Sequence, residues 1–371
     1  MVSRIFFPIG QGAFYAERHN TFNVVYDCGN WKQTNISKKI VSQSFSKNES
    51  VKLLFISHFD WDHISLINTL KATVNSIDYV ILPLLHNEQK ILMSNIHRIL
   101  GHTSLTLIND PNSFFGKSTK IIYVAPSENN ENNENNENII NIDDEKKNEI
   151  KQEIASGTIV KINEKKYSWC FIPFNIKNNE RSKIIEDKLR NAGFDVEGLK
   201  TNPSYTLKNL TTKEDKNTLK DIYNSLQGKI NENSLVVYSG PNKKHTNNDY
   251  FTCSHHQNNN GFVHSFIYNK VGCIYTGDVD LNKVDLTKKY SKHWNFVGTV
   301  QIPHHGSEKD FNPNFLSENI LFCPISFGID NTYGHPSYKV ISNILENNSC
   351  AINITEKMDS GYIQLLSSDI I

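Results

Sequence analysis

The stretch FISHFDWDHIS, residues 55–65, sets His58, Asp60, Asp62 and His63 within six positions, directly behind an apolar run. Two carboxylates that close repel each other unless positive charge lies between them. An apolar run that stops in such a cluster reads as a buried strand ending in a polar loop, and DHISLINTLKATVN behind it has helical spacing. In extended or tightly turned backbone His58, Asp60 and Asp62 share one face, and His63 opens the helix.

Three further stretches carry the same residue types. YTGDVD offers Asp278 at a strand end, with Gly277 allowing close backbone approach. QIPHHGS offers His304 and His305, and NTYGHPS offers His335 between a Gly and a Pro that fix a turn. A single histidine on a strand is ordinarily a packed or surface residue. Four clusters at strand ends, in order, are not independent accidents. Together they supply donors for two divalent cations about 3.5–4 Å apart that share one carboxylate. Cations in that position would cancel the repulsion within residues 55–65.

The rest of the chain has the matching organisation. Short apolar runs recur as SRIFFPI, FNVVYDCG, KLLFISH, YVILPL, SWCFIPF, SLVVYSG, FVHSFIY, GCIYTGD, GTVQIPHHG and ILFCPISFG, several of them ending in Gly, Asp or His clusters. Helical patterns such as SYKVISNILEN follow some of them. Strand, polar loop, helix is the order of an α/β sandwich whose chemistry sits on loops at strand ends. One domain over residues 1–371 is expected, with two interruptions. Residues 127–153 are rich in Asn, Glu and Lys and nearly free of apolar side chains, which predicts a solvated, partly helical or disordered low-complexity insertion. Residues 175–231, with RSKIIEDKLRNAGF and TLKDIYNSL, predict a helical insertion between sheet segments.

Composition narrows the class. At 371 residues, 38% hydrophobic and 21% charged, the chain is an ordinary soluble globular one. Lys+Arg and Asp+Glu balance at 39 each, so overall charge makes no case for nucleic acid; local patches such as KSTKII (117–122) and NKKH (242–245) are left as possible substrate paths or solvated faces. No window approaches the roughly 18–20 apolar residues of a membrane span, and the start MVSRIFFPIGQGAFY has no signal-peptide pattern. Six scattered cysteines without a CxxC pair read as buried or incidental thiols. A cytoplasmic protein without a membrane role is expected.

With these motifs assembled, the chain resembles the metallo-β-lactamase superfamily, whose HxHxDH signature is met here as HxDxDH. YDCGN (Asp27 to Asn30) resembles the turn that supports the site in that family. More narrowly, IGQGAFY, NENSLVV, YTGD, PHHGS and YGHPS fall in the order seen in the soluble domain of ComEC-type DNA-uptake competence proteins. The resemblance spans about residues 5–355 without the two insertions. It implies a four-layer αββα sandwich and two divalent metal ions, Zn²⁺ or Mn²⁺. By position, His58 and Asp60 would hold the first metal, Asp62 and His63 the second, and Asp278 would bridge; His335 matches the last histidine. His304 would be a ligand or a hydrogen-bond donor beside the metals, with His305 the weaker match. Asp60 stands where most of the superfamily has His, and the oxygen donor makes the first site harder, which favours Mn²⁺ or Mg²⁺ while the imidazoles still favour Zn²⁺. The family's separate mid-chain histidine has no clean equivalent: His255, His256 and His264 lie in the right interval, the first two in a polar, Asn-rich loop. Cys28 in the DCG turn reads as a core residue.

A two-metal centre makes a hydrolase, and a phosphodiester suits it because attacking and leaving oxygens can each find a cation. The expected activity is a metal-dependent phosphodiesterase or nuclease on DNA or RNA. Asp62 would orient the nucleophile, while His305, Ser307 and Tyr333 are candidates to contact the phosphate or protonate the leaving oxygen; for these three a capping or packing role is the alternative. A hydrolase of a small nucleotide, lactone or ester, and a metal-binding regulatory module with weak catalysis, are the competing readings.

Overall fold

The structure is a computed structural model that describes residues 1–103, 105–127, 138–143, 152–162, 169–208, 212–225, 233–242, 249–257, 264–267, 270–317 and 319–370. Among them are two mixed sheets. The first runs, in spatial order, His264–Ile267, Asp249–Gln257, Tyr362–Ile370, Val2–Phe6, Phe14–Arg18, Asn23–Cys28, Val51–Phe55, Ile77–Pro83, Lys120–Val124 and Glu153–Ile154. The second runs Cys350–Ile354, Phe322–Ser326, Val297–Val300, Gly272–Tyr275, Asn233–Pro241, Trp169–Lys177, Ile159–Lys161 and Ile139–Asn141.

The alternation of side chains along each strand sorts the core into layers. Leu53 and Phe55 meet Tyr26, Phe171, Leu235 and Tyr275 in the space between the sheets. Leu54 and Val80, on the opposite face of the first sheet, pack under the helices Asn35–Ser44 and Asn87–Leu100 through Val41 and Ile96. Val236 and Ile274, on the outer face of the second sheet, pack under helix Tyr338–Glu346 through Val340 and Ile344. Helix, sheet, sheet, helix is the expected αββα sandwich. Cys28 is fully buried in it, as a core thiol.

Three expectations need correction. Asp249–Gln257 is a strand paired antiparallel to Tyr362–Ile370, so His255 and His256 stand in a sheet rather than a loop. Within residues 127–153 the described parts, Ile139–Asn141 and Glu153–Ile154, are edge strands, one on each sheet; the NNE run itself lies outside the described residues. The segment expected as a helical insertion from 175 first completes strand Trp169–Lys177, and its helices are Asn179–Asn191, Val196–Thr201, Tyr205–Lys208 and Lys213–Ser225. Their apolar residues Ile185, Leu189, Leu199 and Leu219 join the helical layer of the first sheet. Among the described residues no helix is long and apolar enough to cross a membrane.

What the architecture contributes to the site is a shared edge. Asn23–Cys28, Val51–Phe55 and Ile77–Pro83 are mutually parallel, as are Gly272–Tyr275, Val297–Val300 and Phe322–Ser326. The carboxyl ends of parallel strands are where such sheets leave room for ligands, and His58, Asp278 and the pair His304–His305 all follow such ends. KSTKII leads into strand Lys120–Val124, parallel to the same set. It therefore lies at the amino-end edge, away from the site; NKKH falls largely outside the described residues.

Candidate metal centre

The loop after strand Val51–Phe55 carries the first four residues. Asp60 caps the short helix Trp61–Ile64, and all of His58, Asp60, Asp62 and His63 are buried. This helix is pressed from behind by two glycine turns. Ala13 N–H donates to the carbonyl of Asp62 at 3.1 Å, and Leu66 N–H donates to that of Cys28 at 2.9 Å. A β-carbon on Gly29 would stand 2.5 Å from the backbone of Asp62 and His63. That contact is the physical content of the YDCGN motif. Because backbone cannot yield as a flexible side chain can, Gly29→Ala is expected to cost about 3 kcal/mol, the upper part of the usual overpacking range, and to weaken metal binding; melting temperature and bound metal per chain check both.

The histidines are anchored through their Nδ1 atoms. His63 Nδ1 lies 2.8 Å from Asp27 Oδ2. His58 Nδ1 lies 2.8 Å from Ser57 Oγ, whose own proton goes to Asp27 Oδ2 at 2.6 Å. His305 Nδ1 lies 2.7 Å from the carbonyl oxygen of Ser326. Each partner is an acceptor, so each Nδ1 carries the proton and the Nε2 lone pairs point the other way. There they meet carboxylates. His63 Nε2 is 3.4 Å from Asp278 Oδ1; His58 Nε2 is 3.7 Å from Asp278 Oδ2 and 3.5 Å from Asp60 Oδ2; His305 Nε2 is 3.0 Å from Asp62 Oδ2.

Lone pair against carboxylate is repulsive unless a proton or a cation lies between. Burial by itself lowers the affinity of His63 for a proton, yet Asp278, Asp27 and Asp62 overcome this and hold its pKa well above the usual histidine value; His305 is raised in the same way by Asp62 and Asp278. Asp278 is held well below the carboxylate range by His63 and His304 in spite of its burial, whereas burial pushes Asp60 up. Among the described residues the Nε2 atoms of His58 and His63 are buried and find no hydrogen-bond partner. His58, His63 and Asp278 form one trio of donor atoms within 4.8 Å of one another, and Asp62, His63 and His305 form another. Imidazole nitrogens fixed by acceptors behind them, aimed at carboxylates, are the donor set of a divalent transition metal. The residues fit the group.

The remaining candidates divide. His304 is not in either trio. Its N–H donates to Asp278 Oδ1 at 3.1 Å and its Nδ1 lies 2.8 Å from Asp310 Oδ2. The two neighbours point apart because both adopt left-handed backbone, φ 51° at His304 and 57° at His305. Asp27 does the same at 52°. Such conformations cost about 1 kcal/mol or more each and persist only where their surroundings impose them. Of the two neighbours, His305 falls within a trio of close donor atoms and His304, equally buried, does not, whereas the sequence made His304 the stronger candidate. His335 and Tyr333 line a small cleft together with Gln11, Trp31, Asp62, His304 and His305. The His335 ring is 6.1 Å from that of His304. Ser307 is buried, and among the described residues its hydroxyl finds no hydrogen-bond partner. The mid-chain histidines are elsewhere: His255 stacks on Phe322 of the second sheet at 3.7 Å and bonds Tyr362 in the layer between the sheets, and His264 pairs with it across strands.

Arg181 had no signal in the sequence. Its guanidinium, 10% exposed, donates to the carbonyl of Asp278 at 3.0 Å and reaches Asp310 Oδ1 at 3.4 Å, tying together the loops of Asp278 and His304. Gln301 holds the same loop from below through the N–H groups of Thr276 and Gly277.

Comparison with known proteins adds little. No family model matches the sequence, and no curated protein matches it. Among solved structures the chain is similar to human tRNase Z, short form, with TM-score 0.39 and 9% identity over 96% of this chain and 92% of that one. It is similar also to the metallo-β-lactamase fold protein YhfI from Bacillus subtilis, with TM-score 0.36 and 8% identity over 99% and 100%. Likeness at this level carries no weight for substrate or residue roles.

Proposed function

We propose that the chain is a metal-dependent hydrolase of phosphodiesters, with nucleic acid, DNA first, as substrate. The observation that carries this reading is the set of three buried imidazoles whose Nε2 atoms face carboxylates beside an open cleft. One nitrogen binds one ion, so His58 with Asp60 would hold a first cation and Asp62 with His63 and His305 a second, with Asp278 a ligand beside them. Zn²⁺ or Mn²⁺ suits this mixture of nitrogen and oxygen donors. Bound there, the cations would supply Lewis acidity and an activated water at neutral pH.

The chain's own groups have distinct tasks. Asp27 and Ser57 hold the imidazoles in one tautomer, so the donor nitrogens need no rearrangement when an ion arrives. Asp62, open to the cleft, orients the nucleophile. His304, its Nδ1 held by Asp310, lines the cleft and would be placed to pass a proton to a leaving oxygen. His335 and Tyr333 border the substrate. The order of IGQGAFY, YTGD, PHHGS and YGHPS is the motif support for a ComEC-like preference for DNA.

Incubation of the protein with end-labelled single- and double-stranded DNA and RNA, with Mn²⁺, Mg²⁺ or Zn²⁺ added, tests the reading beside an Asp62→Ala control. Metal-dependent cutting absent from the control is expected. No cutting of any polymer by metal-loaded protein would move the assignment to a small nucleotide or ester.

A further inference from the structure

The candidate metal centre is divided between the two sheets. One donor trio joins His58 and His63 to Asp278, and the other joins Asp62 and His63 to His305, so each draws on loops of both sheets. How tightly an ion is held therefore depends on how those loops are fixed relative to each other before it arrives. A ligand set that must first be ordered binds more weakly.

The loops of the second sheet are already stitched together. His304 N–H donates to Asp278 Oδ1 at 3.1 Å, Leu281 N–H donates to the carbonyl of Asp310 at 2.9 Å, and His304 Nδ1 lies 2.8 Å from Asp310 Oδ2. Arg181 enters between them from helix Asn179–Asn191. A single nitrogen, Nη2, donates to the main-chain carbonyl of Asp278 at 3.0 Å and to Asp310 Oδ1 at 3.4 Å; the Arg181 and Asp310 side chains are 10% and 5% exposed. The rest of the helix belongs to the other half of the molecule. Ile185 and Leu189 join the core of the first sheet's helical layer. Glu186 shares Lys200 with Glu88 of helix Asn87–Leu100, at 3.0 and 3.3 Å. Asn95 of that same helix, fully buried, donates to the carbonyls of Leu199 and Asn202 at 2.9 Å. The segment is thus rooted in the layer that covers the first sheet, while its Arg181 holds loops of the second.

We infer that Arg181 is a positioning residue of the metal centre: it braces the Asp278 and His304 loops against the half that carries His58 to His63, and so sets the affinity for metal. This rests on the metal-centre reading above. It makes the inserted helices a working part of the site.

Calorimetric titration with Mn²⁺, well below the melting temperatures, compares wild type with Arg181→Met, Arg181→Lys and Lys283→Met. Methionine keeps much of the apolar stem and removes the charge and the donors. Lysine returns a cation that, like Nη2, can serve both acceptors from one nitrogen. Lys283 pairs with Glu180 at 3.0 Å and joins the same helix to the Asp278 loop, but in solvent, where such pairs contribute little. The Mn²⁺ Kd is expected to rise about 10–100-fold in Arg181→Met, the usual cost of losing a group that orients a metal ligand. It should return at least part of the way in Arg181→Lys and stay close to wild type in Lys283→Met. Should Arg181→Met fail to fold, Arg181→Met/Asp310→Asn leaves no buried charge stranded and carries the same expectation. A role in stability alone would lower the melting temperature and leave the Kd of the folded protein unchanged, and that result overturns the inference. A Kd as weak in Arg181→Lys as in Arg181→Met overturns it too, because the loss would then follow shape and not the brace. Wild type that binds no Mn²⁺ removes it together with the metal-centre reading. If wild type binds Mn²⁺ and cuts no polymer while Arg181→Met binds the ion weakly, the nuclease reading fails and Arg181 keeps its role. If wild type cuts DNA and Arg181→Met binds Mn²⁺ as wild type does, the failure lies with Arg181 alone.

Discussion

Asp278→Asn is expected to lower metal-dependent kcat/KM by about 10³-fold, the upper end of what the loss of a single well-placed hydrogen-bond donor costs, while the protein stays folded. The substitution keeps the shape and one acceptor. An amide oxygen can still take the His304 N–H bond that Asp278 Oδ1 accepts at 3.1 Å. What disappears is the charge that faces His63 Nε2 at 3.4 Å and His58 Nε2 at 3.7 Å. A carboxylate can give an oxygen to each of two cations, and an amide cannot neutralise either. Without metal, the change also removes a buried carboxylate that His63 and His304 hold well below its usual range, so the apoprotein should itself melt earlier than wild type. The two proteins should separate further when Mn²⁺ or Zn²⁺ is added. A ligand at 100 times its Kd stabilises a folded protein by about 2.7 kcal/mol, which wild type should show as a raised melting temperature and the variant should not. Metal analysis, thermal melts and the DNA assay measure the three parts. A variant that keeps its metal and most of its activity would remove Asp278 from the centre.

How much of this was legible in the sequence depends on the range of the contacts. The four residues from His58 to His63 were readable because a strand end followed by a helix puts their side chains at one place whatever the rest of the chain does. Asp278 was readable for the same reason. The choice between His304 and His305 was not. Adjacent residues differ in where they point, and here the direction is set by two consecutive left-handed conformations and by acceptors at Ser326 and Asp310. Arg181 was invisible, since a lysine- and asparagine-rich helical segment gives no local hint that it docks on a site assembled from other strands. His255 and His256 show the converse error. Their Asn-rich neighbourhood suggests a loop, but pairing with Tyr362–Ile370, about a hundred residues later, makes the segment a strand; strand preference is weak beside such pairing.

Arg4→Met is expected to destabilise the protein by about 3–5 kcal/mol, the cost of leaving one member of a buried ion pair without its partner. Arg4 reads in SRIFFPI as one more strand residue, yet in the alternation Val2, Arg4, Phe6 it belongs to the face buried between the sheets, and it is fully inaccessible. Its Nε donates to Glu17 Oε1 at 2.8 Å, Nη1 to Gln364 Oε1 at 2.8 Å and Nη2 to the carbonyl of Val271 at 3.2 Å. Glu17, equally buried, also accepts from Tyr275 at 3.0 Å and Ser239 at 2.7 Å. Burial alone would push the Glu17 carboxyl up; Arg4, with His19 and Ser239, outweighs it and holds the group at about 2 against an ordinary 4.5. A carboxylate whose pKa is lower folded than unfolded adds stability above the unfolded value, and that stability is lost as pH falls toward the folded one. Wild type should therefore lose on the order of 3 kcal/mol from this group between about pH 4.5 and pH 2. Removing the guanidinium takes away the largest influence holding the carboxyl down, so Arg4→Met should begin to unfold at higher pH than wild type. In Arg4→Met/Glu17→Leu no charge is left stranded, and part of the lost stability should return. Urea midpoints at pH 7 and an acid titration followed by circular dichroism separate these outcomes. Equal midpoints for wild type and Arg4→Met would mean that the network between the sheets contributes nothing that the surrounding aromatic core does not already supply.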